Sequence, residues 1–293
     1  MKYFVGFLFL ISIIGMKTSS AQSNRANWIF KAEDKNLVEE KLNSFSVKST
    51  LPISELITEI GLSFLGTPYA AATLENGLEE KLVINLKELD CTTFVENCLA
   101  LALTIKSGKT DFESYALELE KIRYRDGLRD LYPSRLHYFS DWIHNNHTKG
   151  FISELSNQNG EMAARTINFM STHATSYPVL KEHPELIQII ANQEIALTKI
   201  GFQYFPKNNL PNIYQNLQSG DIVGLTSNIE GLDINHTGLI IMKDNEFYLL
   251  HALQSGGKVM VADEPLSAFL KPQSKNSGII IARPIFLAKQ ITN

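Results

Sequence analysis

Cys91 is the residue with the most reactive chemistry in the sequence, because it is the first residue of a segment with helical periodicity, 91–106. A helix N-terminus carries about half a unit of positive charge and free N–H groups. This environment lowers the pKa of a thiol and can bind an oxyanion. We therefore predict that Cys91 is a nucleophile. The alternative is a buried, inert thiol, which is our prediction for Cys98 on the apolar face of the same helix.

A nucleophilic cysteine needs a base, usually histidine, and two histidines occur in a predicted hairpin. If Asp244 and Asn245 form a two-residue turn, His251 falls opposite Gly238 and becomes a diagonal neighbour of His236, about 7–8 Å away on the same face. Gly238 leaves room for His251, whereas an odd-length loop would separate the two rings. We predict that His236 is the general base and that His251 orients it; the alternative is two unrelated structural histidines.

The composition argues against several other kinds of site. The chain has only two cysteines and a net charge of −4, which excludes a four-cysteine zinc site and argues against a nucleic-acid binder. In a helix Cys91 and Cys98 would lie about 10.5 Å apart, beyond the 7 Å or so that a disulfide spans, so both thiols should be free. His144 and His147 have a metal-ligand spacing without a third ligand. We expect no metal and no cofactor.

The N-terminus has the layout of a secretory signal peptide. Lys2 supplies a positive start, residues 4–14 are almost wholly apolar, and 19–21 are small. The apolar run is shorter than the roughly 20 residues that span a bilayer, which argues against the alternative of a membrane anchor. We expect cleavage after Ala21, export to the periplasm or beyond the cell, and no stable membrane insertion afterwards.

Helical patterns precede a run of strands, which predicts an α+β fold with an antiparallel sheet. Thr93 and Glu96 resemble a capping box. We predict one catalytic domain over 22–293, with a helical insertion at about 109–215. The predicted helices lie within 34–65, 91–106, 111–147 and 161–200, and the predicted strands at 81–86, 221–225, 236–243, 246–253, 258–262 and 278–286.

Five short motifs resemble the NlpC-type cell-wall hydrolases, a branch of the papain-like cysteine hydrolases. The nucleophile motif, Asp-Cys-Ser-x-Phe-Val, is matched by 90–95 with threonine in place of serine. Gly-x-Pro-Tyr is matched by 66–69, and Gly-Asp-hydrophobic by 220–223. His-x-Gly-hydrophobic is matched by 236–240, and hydrophobic-His-Ala by 250–252.

The resemblance implies a papain-like core with the nucleophile helix packed on the antiparallel sheet, and it implies that Tyr69 and Asp90 support the nucleophile. The long gap between Cys91 and His236 looks like the branch formerly known as a domain of unknown function and assigned N-acetylmuramoyl-L-alanine amidase activity. It implies an exported enzyme acting on peptidoglycan or muropeptides. We further expect a monomer without a nucleic-acid partner.

The insertion contains a group of side chains suited to a sugar–peptide ligand. Aromatic rings such as Tyr138 and Trp142 can stack on a sugar, and Arg135, beside His137, can pair with a peptide carboxylate. We therefore predict that Arg135, Tyr138 and Trp142 bind substrate. The alternative is that Tyr138 and Trp142, four residues apart, form a helix core stripe.

These features favour a cysteine amidase that cleaves the N-acetylmuramoyl–L-alanine bond. An endopeptidase that cuts after D-Glu in the stem peptide would use the same residues, so sequence does not separate the two. A non-catalytic peptidoglycan-binding module is a third possibility. A zinc amidase is disfavoured because the histidines lack a compatible carboxylate or cysteine spacing.

Overall fold

The computed structural model describes residues 28–287, so the predicted signal peptide lies outside the described residues. Within this range no helix is long and apolar enough to cross a membrane. The helices are α1 (Ala32–Ser46), α2 (Ile53–Leu62), α3 (Cys91–Lys106), α4 (Phe112–Arg123), α5 (Phe139–Thr148), α6 (Ser156–Asn159), α7 (Phe169–Thr172), α8 (Pro178–Glu182), α9 (Ile187–Ile200), α10 (Leu210–Ile213) and α11 (Leu266–Leu270). The strands are β1 (Trp28–Ile29), β2 (Leu82–Val83), β3 (Ile152–Glu154), β4 (Glu161–Met162), β5 (Gln203–Pro206), β6 (Ile222–Ser227), β7 (Ile234–Lys243), β8 (Glu246–Leu253), β9 (Lys258–Val261) and β10 (Asn276–Pro284).

One eight-stranded sheet organises the fold. Its order is β4-β5-β10-β6-β7-β8-β9, with β3 also paired to β10, and its pairings are antiparallel. The prediction of a mixed fold with helices and an antiparallel sheet is therefore confirmed. Strands β1 and β2 form a separate parallel pair.

The β7–β8 hairpin has the predicted register. Lys243 pairs with Glu246 and Leu239 with Leu250. The two turn residues, Asp244 and Asn245, have φ values of 52° and 62°, the left-handed conformation that a two-residue hairpin turn of this type requires. The turn therefore fixes which side chains of the two strands share a face.

Helix α3 begins at the predicted nucleophile but is capped differently from the prediction. Asp90 is the N-cap: the backbone N–H of Thr93 donates to the Asp90 carboxylate at 2.8 Å, and the Asp90 N–H donates to the Thr93 hydroxyl at 2.9 Å. The predicted box between Thr93 and Glu96 was wrong, because Glu96 is buried and accepts a hydrogen bond from Arg123 at 2.8 Å. From Thr93 to Ile105 every residue of α3 is buried.

The segment 109–215 is less helical than predicted, because it also supplies strands to the sheet. Strands β3 and β5 pair with β10, and β4 pairs with β5. Pro178 and Pro184 stand at the first position of a new helical turn, where a missing N–H has no cost. The sequence predicted breaks near these two prolines in the helical pattern over 161–200, and the structure confirms them: short helices precede the longer helix α9.

Candidate active site

Cys91 is partly exposed at the first position of α3, where its thiol meets Thr237 of β7. Burial raises the pKa of the Cys91 thiol, and the Asp90 carboxylate acts in the same direction. The nearby polar groups of Thr237, in its backbone and its hydroxyl, and the Thr92 hydroxyl oppose this increase in the pKa. The helix start thus does not produce the lowered pKa that the sequence predicted, because burial and a neighbouring carboxylate outweigh it. The thiol is neutral at rest.

Both cysteines are free, as their spacing predicted. Cys98 has no exposed surface and lies in the core below the nucleophile. Burial raises the pKa of its thiol well above the usual range. An inert packing role therefore describes Cys98.

The two histidines of the hairpin meet, as predicted. Nε2 of His236 and Nδ1 of His251 lie 2.7 Å apart, a hydrogen-bond distance, with the rings nearly perpendicular. A side chain at Gly238 would place its Cβ 3.1 Å from the Cβ of His251, so the glycine provides the room that the sequence indicated. Because this bond uses Nε2 of His236, its Nδ1 is the ring nitrogen left to exchange a proton with a reacting group.

Burial keeps both imidazoles uncharged at neutral pH. It lowers the pKa of His236 to about 4. It also lowers the pKa of His251 to about 3, with a further contribution from His236. Phe269 packs edge-on against the His251 ring, with the centroids 5.5 Å apart. A neutral His236 can accept a proton. A neutral His251 that bonds to Nε2 of His236 leaves Nδ1 of His236 available for that proton.

A β-bulge directly precedes His236. The pairing of β6 with β7 shifts from Leu225↔His236 to Thr226↔Ile234, which leaves Asn235 as the extra residue. Bulges bend a strand and redirect the side chains beside them. The bulge therefore bends β7 immediately before His236, where the regular pairing with β6 begins.

The loop that carries Tyr69 is hydrogen-bonded both to the residue before β9 and to the segment just before α3. The Tyr69 N–H donates to the Gly257 carbonyl at 2.9 Å, and the Leu89 N–H donates to the Pro68 carbonyl at 3.0 Å. Burial raises the pKa of the Tyr69 hydroxyl, and Cys91 contributes in the same direction. The predicted support residue thus lies within electrostatic reach of the thiol.

Thr237 is a site residue that the sequence analysis missed. It is buried, and its hydroxyl has no hydrogen-bond partner within residues 28–287. It occupies the unspecified position between His236 and Gly238 in the strand motif. The sequence feature that could have identified Thr237 is a hydroxyl side chain directly before the apolar run of β7.

The three predicted substrate-binding residues lie in the interior. Arg135 is 5% exposed, with Nη2 2.6 Å from the Glu75 carboxylate and Nε 3.5 Å from that of Glu80. The Tyr138 hydroxyl donates to Glu194 at 2.6 Å.

Trp142 has no exposed surface and stacks on Phe139, with the centroids 4.9 Å apart. Both side chains are buried, as the alternative predicted, but Tyr138 directly precedes α5 and packs in a different apolar cluster from Trp142, so the two do not form one stripe. The Trp142 ring has no face open to a sugar. Arg135 is held by two internal carboxylates, and its contact with substrate stays a prediction.

The histidines of α5 have separate partners. His144 lies 3.7 Å from the Glu154 carboxylate, and Nδ1 of His147 lies 3.2 Å from the Ile152 carbonyl. Within residues 28–287 no group of three or more His, Cys, Asp or Glu side chains could hold a metal ion. Asp221, from the Gly-Asp motif, is buried and accepts two hydrogen bonds from Arg283 at 2.7 and 2.9 Å, a structural contact.

Comparison with known structures gives several matches over most of the chain. An N-acetylmuramoyl-L-alanine amidase from Bacteroides uniformis is 38% identical, with a TM-score of 0.76 over 80% of this chain and 99% of that one. A Bacteroides fragilis protein that carries the provisional name of a xylanase is 40% identical, with a TM-score of 0.73 over 77% and 99%. A Legionella pneumophila protein, 20% identical, has a TM-score of 0.65 over 92% and 97% and shows the fold alone.

Comparison with family models gives a match over most of the described structure. No curated protein matches the chain. The family model for AmiA-like, N-acetylmuramoyl-L-alanine amidase-like proteins matches residues 59–279. This range contains the cysteine at the start of α3, the Tyr69 loop and the histidine hairpin. The chain therefore belongs to the AmiA-like family of N-acetylmuramoyl-L-alanine amidase-like proteins.

Proposed function

We propose that this protein is an exported cysteine amidase with an NlpC-type, papain-like core, which hydrolyses the N-acetylmuramoyl–L-alanine bond of peptidoglycan or its fragments. The observation that carries the proposal is the 2.7 Å contact between His236 and His251, next to the residue that meets the Cys91 thiol. A nucleophile, a base and a group that orients the base are the three parts of a catalytic triad. The amidase-like family and the name of the Bacteroides uniformis relative support the choice of bond.

The first half of the reaction forms a thioester. Sγ of Cys91 attacks the lactyl carbonyl carbon while Nδ1 of His236 accepts the thiol proton, for which the two groups must come within hydrogen-bond distance. Collapse of the tetrahedral intermediate breaks the C–N bond, and His236 returns the proton to the departing amine of L-alanine. A neutral thiol and a neutral imidazole make this a general-base mechanism, in which the thiolate forms only as attack proceeds.

The second half regenerates the enzyme. Water gives a proton to His236 and adds to the thioester carbonyl, and the thiolate leaves with that proton. The backbone N–H of Cys91, at the first turn of α3, has no carbonyl partner within the helix and can donate to the oxyanion with the Tyr69 hydroxyl. His251 accepts the Nε2 proton of His236 and so keeps Nδ1 free as the base.

The domain and localisation assignments form part of the same proposal. We take residues 22–293 as one catalytic domain after removal of the signal peptide 1–21. The largest apolar cluster of the described residues supports this assignment, because it contains residues of α1, α3, α5 and β10. The segment 109–215, which contributes Trp142 to that core, then acts as an insertion rather than a separate domain.

The products of muropeptide digestion test the proposed bond. We expect the wild-type protein to release an intact stem peptide and a free muramyl sugar, because attack at the lactyl carbonyl separates these two parts. Mass spectrometry of the digest measures both fragments. Fragments cut after D-Glu would contradict the amidase assignment in favour of the endopeptidase, and muropeptide that is bound but never cleaved would favour the binding module.

The acid dependence of the reaction tests the state of the base. Because burial lowers the pKa of His236 to about 4, its imidazole stays unprotonated well below the usual value of about 6.5. We expect kcat/KM to stay level down to about pH 5 and to fall as the pH approaches 4. Enzyme returned to neutral pH before assay controls for unfolding. A reversible loss of activity centred near pH 6.5 would contradict the buried, neutral base.

A further inference from the structure

Thr237 carries a buried hydroxyl group that packing alone does not explain. Its side chain is 2% exposed, and its Oγ1 has no hydrogen-bond partner within residues 28–287. A buried polar group without a partner reduces the free energy of unfolding. Valine has nearly the same shape and would avoid this cost. The hydroxyl therefore indicates a role other than filling space in the core.

Thr237 lies on the face of the sheet that meets the nucleophile helix. A Cβ added at Gly61 would lie 2.9 Å from Leu239 and 3.5 Å from Phe94, so β7 and the first turn of α3 approach the same point. Thr237 stands two residues before Leu239 and shares its face of the sheet. Cys91 stands three residues before Phe94, on the same side of α3. These positions bring the polar groups of Thr237 beside the Cys91 thiol.

The backbone of Thr237 lies just outside the ladder between β7 and β8. The Ile240 N–H donates to the Asp221 carbonyl at 2.7 Å, on the side of β6. Because successive residues of an antiparallel strand bond to opposite neighbours, the N–H groups of Leu239 and Thr237 both face β8. Regular pairing of these two strands begins at Leu239↔Leu250. The Thr237 N–H is therefore beyond the end of the ladder, and it lies near the thiol.

We propose that the hydroxyl and the backbone N–H of Thr237 donate hydrogen bonds to Sγ of Cys91 whenever that sulfur carries negative charge. This inference rests on the proposed function and adds a catalytic residue to the same site. A neutral thiol is a weak acceptor, which agrees with a hydroxyl that makes no hydrogen bond at rest. Catalytic hydrogen bonds that are long in a free enzyme tighten as the reaction proceeds.

Negative charge develops on the sulfur in both halves of the reaction. It appears as His236 removes the thiol proton, and again as the C–S bond of the thioester breaks. Burial and the Asp90 carboxylate both disfavour a thiolate. Donors held by the sheet oppose these effects without having to reorganise. Thr237 thus serves the sulfur, while the Cys91 N–H and the Tyr69 hydroxyl serve the carbonyl oxygen.

Alkylation of Cys91 by iodoacetamide tests the proposal without a muropeptide. The thiolate displaces iodide, so the rate at a fixed pH follows the fraction of thiolate. We expect Thr237→Val to lower the rate constant by about 10-fold and to move the pH–rate profile to higher pH, because a hydrogen bond to a charged group is lost. Thr237→Ser keeps the hydroxyl and should restore most of the reactivity. Peptide mass spectrometry shows that Cys91 is the labelled residue.

The stability and turnover of Thr237→Val distinguish this role from a structural one. The change removes an unsatisfied hydroxyl, so the free energy of unfolding should equal or exceed that of wild type. The kcat for muropeptide hydrolysis should fall by about 10- to 100-fold with little change in KM. A packing role predicts the opposite, a less stable protein whose folded molecules alkylate normally. Thr237→Ala gives the same comparison if the valine variant does not fold.

Thr104→Val is the matched control, because Thr104 is a buried threonine near the other end of α3. Its hydroxyl donates to the Ala100 carbonyl at 2.7 Å. Its replacement removes a satisfied hydroxyl far from the sulfur along the helix. The rate of Cys91 alkylation should therefore stay at the wild-type value in the folded protein.

Alkylation of Thr237→Val at the wild-type rate over the whole pH range would overturn the inference. If kcat nevertheless fell, the hydroxyl would act on the carbonyl oxygen or through packing instead of on the sulfur. A wild type whose alkylation depends on Thr237, but which cleaves no muropeptide, would overturn the proposed function and retain the two donors to the thiolate.

Discussion

Replacement of Cys91 by alanine is expected to lower kcat/KM for muropeptide hydrolysis by about 10⁴-fold or more, the scale of loss when a covalent nucleophile is removed. The variant keeps the Asp90 cap, so α3 should still begin at the same residue. Cys91→Ser should be equally impaired, because the buried, neutral His236 would have to remove a proton from a much less acidic hydroxyl. Initial rates on purified muropeptides measure the loss.

Cys98→Ala is the matched control for Cys91→Ala, because the two cysteines lie on the same helix. Cys98 has no exposed surface, so its truncation should reduce the free energy of unfolding by about 1–2 kcal/mol while the rate per folded molecule stays at the wild-type value. A Cys91→Ala protein that kept wild-type activity would exclude cysteine catalysis. Loss of activity in Cys98→Ala at full folding would show that the assay reports helix packing.

Replacement of Glu96 by leucine is expected to be the most destabilising of the proposed changes. Glu96 and Arg123 are each 2% exposed and form an ion pair at 2.8 Å, and Arg123 also donates to the Val83 carbonyl at 2.6 Å. Without Glu96 the guanidinium stays charged and buried. Breaking a buried pair in this way costs about 3–5 kcal/mol, measurable as a shift in the midpoint of urea unfolding.

The reverse change, Arg123→Met, should cost less and should depend on pH. Burial raises the pKa of Glu96, which Arg123 opposes, so removal of Arg123 raises that pKa further. The folded variant then binds a proton that the unfolded chain releases, and its stability relative to wild type increases as the pH falls from 7 to 5.

The double variant Glu96→Leu/Arg123→Met tests whether the pair acts as a unit. It should recover most of the loss of Glu96→Leu, because no unpaired charge remains in the core. Equal and additive losses in the three variants would show that the two side chains act independently. A large loss in Arg123→Met that does not change with pH would show that the Val83 contact matters more than the charge.

This ion pair also links α4, in the proposed insertion, to the helix that begins at the proposed nucleophile. Glu96 lies in α3, about a turn and a half after Cys91, and Arg123 is the last residue of α4. Because Arg123 neutralises it, Glu96 can be buried in α3 together with the apolar residues on either side. The sequence suggested only a capping role for Glu96, and the fold supplies its partner, 27 residues later in the chain.

Local rules were sufficient for the parts of the site that depend on neighbours in sequence. The two-residue turn at Asp244 and Asn245 fixed the hairpin register, and with it the meeting of His236 and His251, because side chains alternate along a strand. The start of α3 at Cys91 followed from its periodicity and from the polar residue before it. Two helical turns separate Cys91 from Cys98, which is too far for a disulfide bond between them.

Contacts between distant segments could not be obtained in the same way. Sequence suggested Arg135 as the partner of a substrate carboxylate, whereas the fold surrounds it with Glu75 and Glu80. Residue type shows that a guanidinium needs a carboxylate, but only the tertiary structure decides which one satisfies it. The identity of the proposed nucleophile and base was therefore indicated by local sequence, while their burial, protonation states and surrounding charges depend on how the chain packs.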